Sequence, residues 1–101
     1  MQIVENLSRI VGRIDAIGPL SGREGWDILT VLLMSAEAVD ERAELLAQHA
    51  GGSIQIEAPR ELLGRATVGD EIRGTVRVAG PGQIIVAPQA VAGEALVIRP
   101  G

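Results

Sequence analysis

A chain of 101 residues has room for one domain with one core and not for two independent lobes. Its composition is 47% apolar, yet it has no Phe, no Tyr and one Trp, so that core must be built from Ile, Val, Leu and Ala; the absence of Cys removes disulfides, thiolate nucleophiles and cysteine zinc sites. A formal charge of −4 argues against attraction of the whole surface to nucleic acid or anionic membrane, although a local arginine cluster is compatible with it.

The first strand is predicted over Arg9 to Ile17, with Ile10, Gly12, Ile14 and Ala16 on one face and Arg9, Val11, Arg13 and Asp15 on the other. The breaker-rich run from Gly18 to Gly25 reads as a long hairpin loop, and the chain returns as a strand from Asp27 to Met34. Within it Ile28 to Met34 is apolar on both sides, which calls for cover on both sides, by a barrel interior together with a helix or a partner subunit. This is also the longest apolar run and falls far short of a bilayer span; no secretory leader pattern precedes it, so no membrane association and a cytoplasmic location are expected.

Val39, Ala43, Leu46, Ala47 and Ala50 recur at the spacing of one helical stripe, with Asp40 placed to cap its start and Gly51 its end. Glu41 and Glu44 near the positive end of the dipole and His49 near the negative end agree with a helix there. A third strand follows from Ser53 to Ala58 through Ile54, Ile56 and Ala58; Pro59 stops it before one turn of helix at Arg60 to Leu63, limited by Gly64. The turn Val68-Gly69-Asp70 leads into the clearest alternation in the chain, with Ile72, Gly74, Val76 and Val78 facing one way and Glu71, Arg73, Thr75 and Arg77 the other. A tight connection through Ala79-Gly80-Pro81-Gly82 gives a strand from Gln83 to Ala87, and Leu96 to Ile98 forms a short terminal strand. The expectation is one mainly β domain over 1–101, a small five-stranded barrel with one short helix, with 1–8 and 88–101 as peripheral arms.

The two ends of the chain echo one another, Ile10-x-Gly12-x-Ile14 with Gly18-Pro19 against Ile72-x-Gly74-x-Val76 with Gly80-Pro81. Shared turn chemistry explains this more simply than a repeat does, and the internal glycines point to bulges or sharp coiling of a closing sheet. Five strands, these glycines and the run Gly69-Asp70-Glu71-Ile72-Arg73-Gly74-Thr75-Val76 resemble OB-fold proteins of the single-strand-binding type, where a similar glycine–acid–strand stretch enters the fourth strand. The resemblance implies an OB-like barrel and single-stranded nucleic acid as a ligand. Two departures are visible: only Trp26 stands where that family carries several stacking aromatics, and the longer predicted helix precedes the third strand instead of following it.

His49 is the only His, and its position favours a dipole or surface role over catalysis. Ser21 and Ser53 do not lie in a nucleophile elbow, Asp40-Glu41 reads as helix-start chemistry and Asp70-Glu71 as a turn, and Gly80-Pro81-Gly82 lacks the Lys and hydroxyl of a phosphate loop. No enzyme activity, cofactor or metal is therefore expected. Two groups remain as candidate partner-binding residues. Arg23 and Trp26 offer a cation and a ring, unless the ring packs over one end of the core. Arg9, Arg13, Arg73 and Arg77 lie on the polar faces of their strands, either as one patch or paired with Asp15 and Glu71.

The primary reading is a non-catalytic protein-binding or self-assembling barrel, a homo-oligomer whose candidate interface is Leu29, Val31, Leu33, Leu96 and Ile98. The alternative is an OB-like protein for single-stranded nucleic acid.

Overall fold

The computed structural model describes residues 6–39, 44–86 and 96–101. The strands are β1 Ser8–Pro19, β2 Trp26–Ala38, β3 Ser53–Pro59, β4 Glu71–Gly80, β5 Gln83–Val86 and β6 Leu96–Arg99, with a short helix α1 Arg60–Leu63 between β3 and β4. Antiparallel ladders join β1 to β2, β2 to β3, β4 to β5 and β1 to β4, and a short parallel ladder joins β3 to β5. These pairings close a five-stranded ring, compatible with an OB-like barrel. The alternation predicted for the first and fourth strands decides which side chains enter it. Ile10, Ile14, Leu29, Val31, Leu33, Ile56, Ile72 and Val76 are fully buried in one cluster.

β6 pairs with β4 at Glu71 to Gly74, on the edge opposite β1, and β5 pairs with the same edge from Val76 onward. The two are thus successive pieces of one line along β4. Ser8 is likewise within β1 and fully buried. The terminal residues read as peripheral arms are therefore, at Ser8 and at Leu96–Arg99, part of the sheet, because each finds an open backbone edge to pair with.

Two irregularities coil the long β1–β2 hairpin. Ile14 faces Val31 and Ala16 faces Thr30, so Asp15 is an extra residue on β1; Val11 faces Ser35 and Gly12 faces Leu33, so Met34 is extra on β2. Each bulge reverses the alternation beyond it. Ala16, predicted to face inward, is consequently exposed, and Ala36 turns toward the core. The two echoing segments are paired with each other, Ile10 lying opposite Gly74 and Gly12 opposite Ile72. At Gly12 the fit is close: an added Cβ would lie 2.7 Å from the Leu32 carbonyl oxygen and inside contact distance of the Val31 side chain.

The helix predicted over 39–50 is corrected. Residues 40–43 lie outside the described residues, and β2 continues through Ala38 because Ser8 to Val11 pair with Ser35 to Ala38. Among the described residues of the stripe only a 3-10 turn, Ala47–His49, forms. Of these residues Leu46 alone reaches the core, and the Glu44 carboxylate accepts hydrogen bonds from Leu46 N–H at 2.7 Å, Ala47 N–H at 2.8 Å and the Ser8 hydroxyl at 2.7 Å. Glu44 thus ties the connection between β2 and β3 to the start of β1. The single turn at Arg60–Leu63 forms as predicted, ending at Gly64 with φ of 54°. The loop read over Gly18 to Gly25 is shorter, since β1 runs through Pro19 and Leu20 N–H donates to the Trp26 carbonyl at 2.9 Å.

Gly12→Ala should lower stability by about 1–3 kcal/mol, because the neighbour that must yield is strand backbone. The measurement is the urea midpoint, with Gly18→Ala as reference, where an added Cβ meets nothing within 4 Å. An equal, small shift in both would show that the barrel wall relaxes freely at Gly12.

Burial of Glu44 favours its neutral form, but the hydrogen bonds from Leu46, Ser8 and Ala47 and the nearby His49 outweigh this and hold its carboxyl below the usual 4.5. A lowered folded-state pKa contributes stability above the unfolded value, and that contribution is lost as pH falls below 4.5 through the folded value. Glu44→Ala should cost about 1–3 kcal/mol at neutral pH. It should also flatten this part of the acid limb in a pH series of melting curves.

Candidate functional site

The outer face of β1, β4 and β6 is built by strand parity. Opposite the buried row Ile10, Gly12, Ile14 stand Arg9, Val11 and Arg13; opposite Ile72, Gly74, Val76 stand Glu71, Arg73, Thr75 and Arg77. Register places Arg9 beside Thr75, Val11 beside Arg73 and Arg13 beside Glu71, while β6 sets Val97 beside Arg73 and Arg99 beside Glu71. The four strand arginines do share one surface. Arg99 extends it, a member the sequence analysis missed although Val97 and Arg99 stand two apart in an alternating strand.

Pairing with acids also occurs, along each strand and not across it. Arg13 Nε donates to Asp15 at 3.1 Å and Arg73 Nε to Glu71 at 2.6 Å. The Arg73 hydrogen bond, with the charges of Arg73 and Arg99, holds the Glu71 carboxyl below the usual carboxylate range. Arg9 and Arg99 make no ion pair within 4 Å among the described residues. The Arg77 Nε is buried and makes no hydrogen bond. Counting Asp15, Glu71 and the Glu37 that faces Arg9, this surface carries a net charge of +2 from its five arginines, which leaves −3 on the other described residues. Val11 is half-buried, and Val97, at 41% exposure, is an apolar surface among these cations.

Trp26 and Arg23 lie elsewhere. Trp26 begins β2 opposite Pro59, and from Arg13 to the end of β1 beside it the chain travels roughly 20 Å at about 3.3 Å per residue. The Arg23 guanidinium lies over the indole, 3.5 Å from the ring centroid, so one ring face is already occupied. Beside it Arg60 Nε donates to Asp27 at 2.9 Å and Arg60 N–H to the Gly25 carbonyl at 2.9 Å, clamping α1 onto the start of β2. Glu24, Trp26, Pro59, Arg60 and Glu61 line an open recess of about 550 Å³ there. The partner-binding residues proposed from sequence thus form two separate groups.

Of the residues read as an oligomer interface, Leu29, Val31 and Leu33 are fully buried within one chain, because they are the inward row of β2. Its outward row is Ile28, Thr30 and Leu32, half-buried, followed by Met34, 58% exposed at its bulge. Ile98 packs on the core from β6, and Leu96 stands opposite Gly74 in the ladder. His49 is exposed at the end of its turn. Among the described residues no three His, Asp or Glu side chains form a group suited to a metal ion, and no helix is long and apolar enough to cross a membrane. Comparison with family models, with curated proteins and with solved structures returned no match.

Arg23→Ala should uncover the indole while costing under ~1 kcal/mol, the usual size of an exposed cation–π contact. Because Trp26 is the only Trp, acrylamide quenching of its fluorescence reads this directly. An unchanged quenching constant would mean that Arg23 does not shield the ring in solution.

Proposed function

We propose that the chain is a non-catalytic, OB-like protein-binding barrel whose contact surface is the outer face of β1, β4 and β6. The observation that carries this reading is the gathering of Arg9, Arg13, Arg73, Arg77 and Arg99 around Val11 and Val97 in a chain that is otherwise strongly acidic. Arginine side chains interleaved with small apolar ones suit an interface with a carboxylate-bearing protein, since guanidinium binds carboxylate bidentately and its planar stem packs on apolar surface. A catalytic reading finds little support: His49 is exposed, and Glu44, whose charge it feels, is already engaged by Ser8, Leu46 and Ala47.

A second reading, single-stranded nucleic acid, draws on the OB-like closure of the barrel and on α1 following β3, where the resembled family carries its helix. Against it stand the absence of any aromatic on the arginine face and the acids set between its cations. Stacking from Trp26 alone would contribute only about 1–3 kcal/mol.

Fluorescence anisotropy separates the two, using a labelled peptide alternating Glu and Val and a labelled single-stranded oligonucleotide. The peptide should bind with an affinity that Arg9→Glu/Arg99→Glu lowers about tenfold or more, at unchanged folding stability. The oligonucleotide should bind more weakly than roughly 10 μM at physiological salt. Submicromolar oligonucleotide binding, lost in both Trp26→Ala and Arg73→Ala/Arg77→Ala, would put the nucleic-acid reading first.

A further inference from the structure

We propose that the partner of the arginine face is a second copy of this chain, which presents the carboxylate-bearing end around Glu24 and Glu61. The inference rests on the binding reading above and names its occupant. Charge complementarity is the argument. Among the described residues this face carries +2 and the remainder −3, so the chain holds both halves of an electrostatic pair. A single copy cannot satisfy itself, because the Trp26 end lies roughly 20 Å along β1 from Arg13.

The two surfaces also match in kind. Glu24 and Glu61 are exposed on the rim of the recess lined by Trp26, Pro59 and Arg60; the Arg60 charge is taken by Asp27 and Arg23 lies over the indole, so this end carries a net charge of −1. Arginines seated between those carboxylates gain ion pairs in a place walled by an indole and a proline. Arg23 over Trp26 exhibits the same guanidinium–indole contact within one chain. Val11 and Val97 then meet the Trp26–Pro59 surface instead of water. Arg9 and Arg99 are the cations to offer, since each is exposed and neither has an ion pair to break among the described residues.

Different patches on the two copies make the contact heterologous, so it propagates head to tail into rings or short chains. Overall like charge opposes encounter, and salt screens over about 8 Å at physiological ionic strength, so assembly is weak and strengthens at low salt and high concentration.

Sedimentation velocity tests this on the whole chain, in low salt and at high salt, for four samples of matched unfolding midpoint. These are the wild type, Arg9→Glu/Arg99→Glu, Glu24→Arg/Glu61→Arg, and an equimolar mixture of the two variants. The wild type should gain mean mass with concentration in low salt and return to monomer in high salt. Each variant alone should stay monomeric, and the mixture, in which the reversed patches complement each other, should associate again. A wild type that is monomeric at millimolar concentration in low salt, or association that neither variant disturbs, overturns the proposal. Binding of the Glu/Val peptide distinguishes the two failures: if it binds through Arg9 and Arg99 while the chain stays monomeric, the face is a binding surface with another occupant, and if neither occurs both readings fall.

Discussion

Closure of the barrel depends on β1 holding two neighbours at once. Over Ser8 to Arg13 it is laddered to β2 on one edge and to β4 on the other. With no Phe or Tyr, the core is filled by aliphatic side chains that occupy less space than rings would, so the walls must approach closely to exclude voids. Gly12 permits that approach on the side of β2, where an added Cβ would meet Val31 and the Leu32 carbonyl. The bulges at Asp15 and Met34 supply the coiling that a flat hairpin lacks.

The same geometry sets what the outside looks like. Once Ile10, Gly12 and Ile14 are committed inward, the intervening Arg9, Val11 and Arg13 have only the outer face, and the same holds for Arg73 and Arg77 on β4. The antiparallel register of β1 and β4 then puts both rows side by side. The arginine face is thus a consequence of closure as much as of composition. Pairing β6 with the free edge of β4 adds Arg99 and Val97 to it. Loss of the β6 ladder would remove two members of this surface without touching the ring.

What the sequence made legible is what depends on local alternation. The outward placement of Arg9, Arg13, Arg73 and Arg77, the turns at Gly69 and Gly82 and the single turn at Arg60–Leu63 all follow from side-chain parity or from residues that favour turns. The failures share a different cause, a partner strand distant in sequence. Met34 reads as a strand end, yet Ser8 to Val11 carry the strand on to Ala38, up to the residue where the stripe predicted as a helix begins. Among the described residues that follow, only Leu46 is buried, and one buried leucine does not hold a helix against a hydrogen-bonded turn anchored by Glu44. Leu29, Val31 and Leu33 were assigned to an interface because a doubly apolar run needs two covers. The barrel supplies the inner cover, and the outer row of Ile28, Thr30 and Leu32 is half-buried within the same chain.

On the proposed binding reading, recognition by this barrel rests on charge and shape, because its one indole lies away from the arginine face. The one indole sits at the end of the hairpin with a guanidinium over one face, far from the surface where the arginines gather. A stacking mode needs rings spaced along the path of the ligand, and on the β1–β4–β6 face the residues between the arginines are Val11, Thr75 and Val97. Those side chains pack against another protein's apolar groups and have nothing to offer a base. The interleaved Asp15, Glu71 and Glu37 narrow the choice further. Asp15 and Glu71 hold the Arg13 and Arg73 guanidiniums in place, and all three acids lower the average potential, which weakens attraction to a uniform polyanion. A partner of the proposed kind, with carboxylates at discrete positions, would reach Arg9 and Arg99 and avoid the acids between them. In that proposal specificity is set by where the opposing charges stand more than by how many there are.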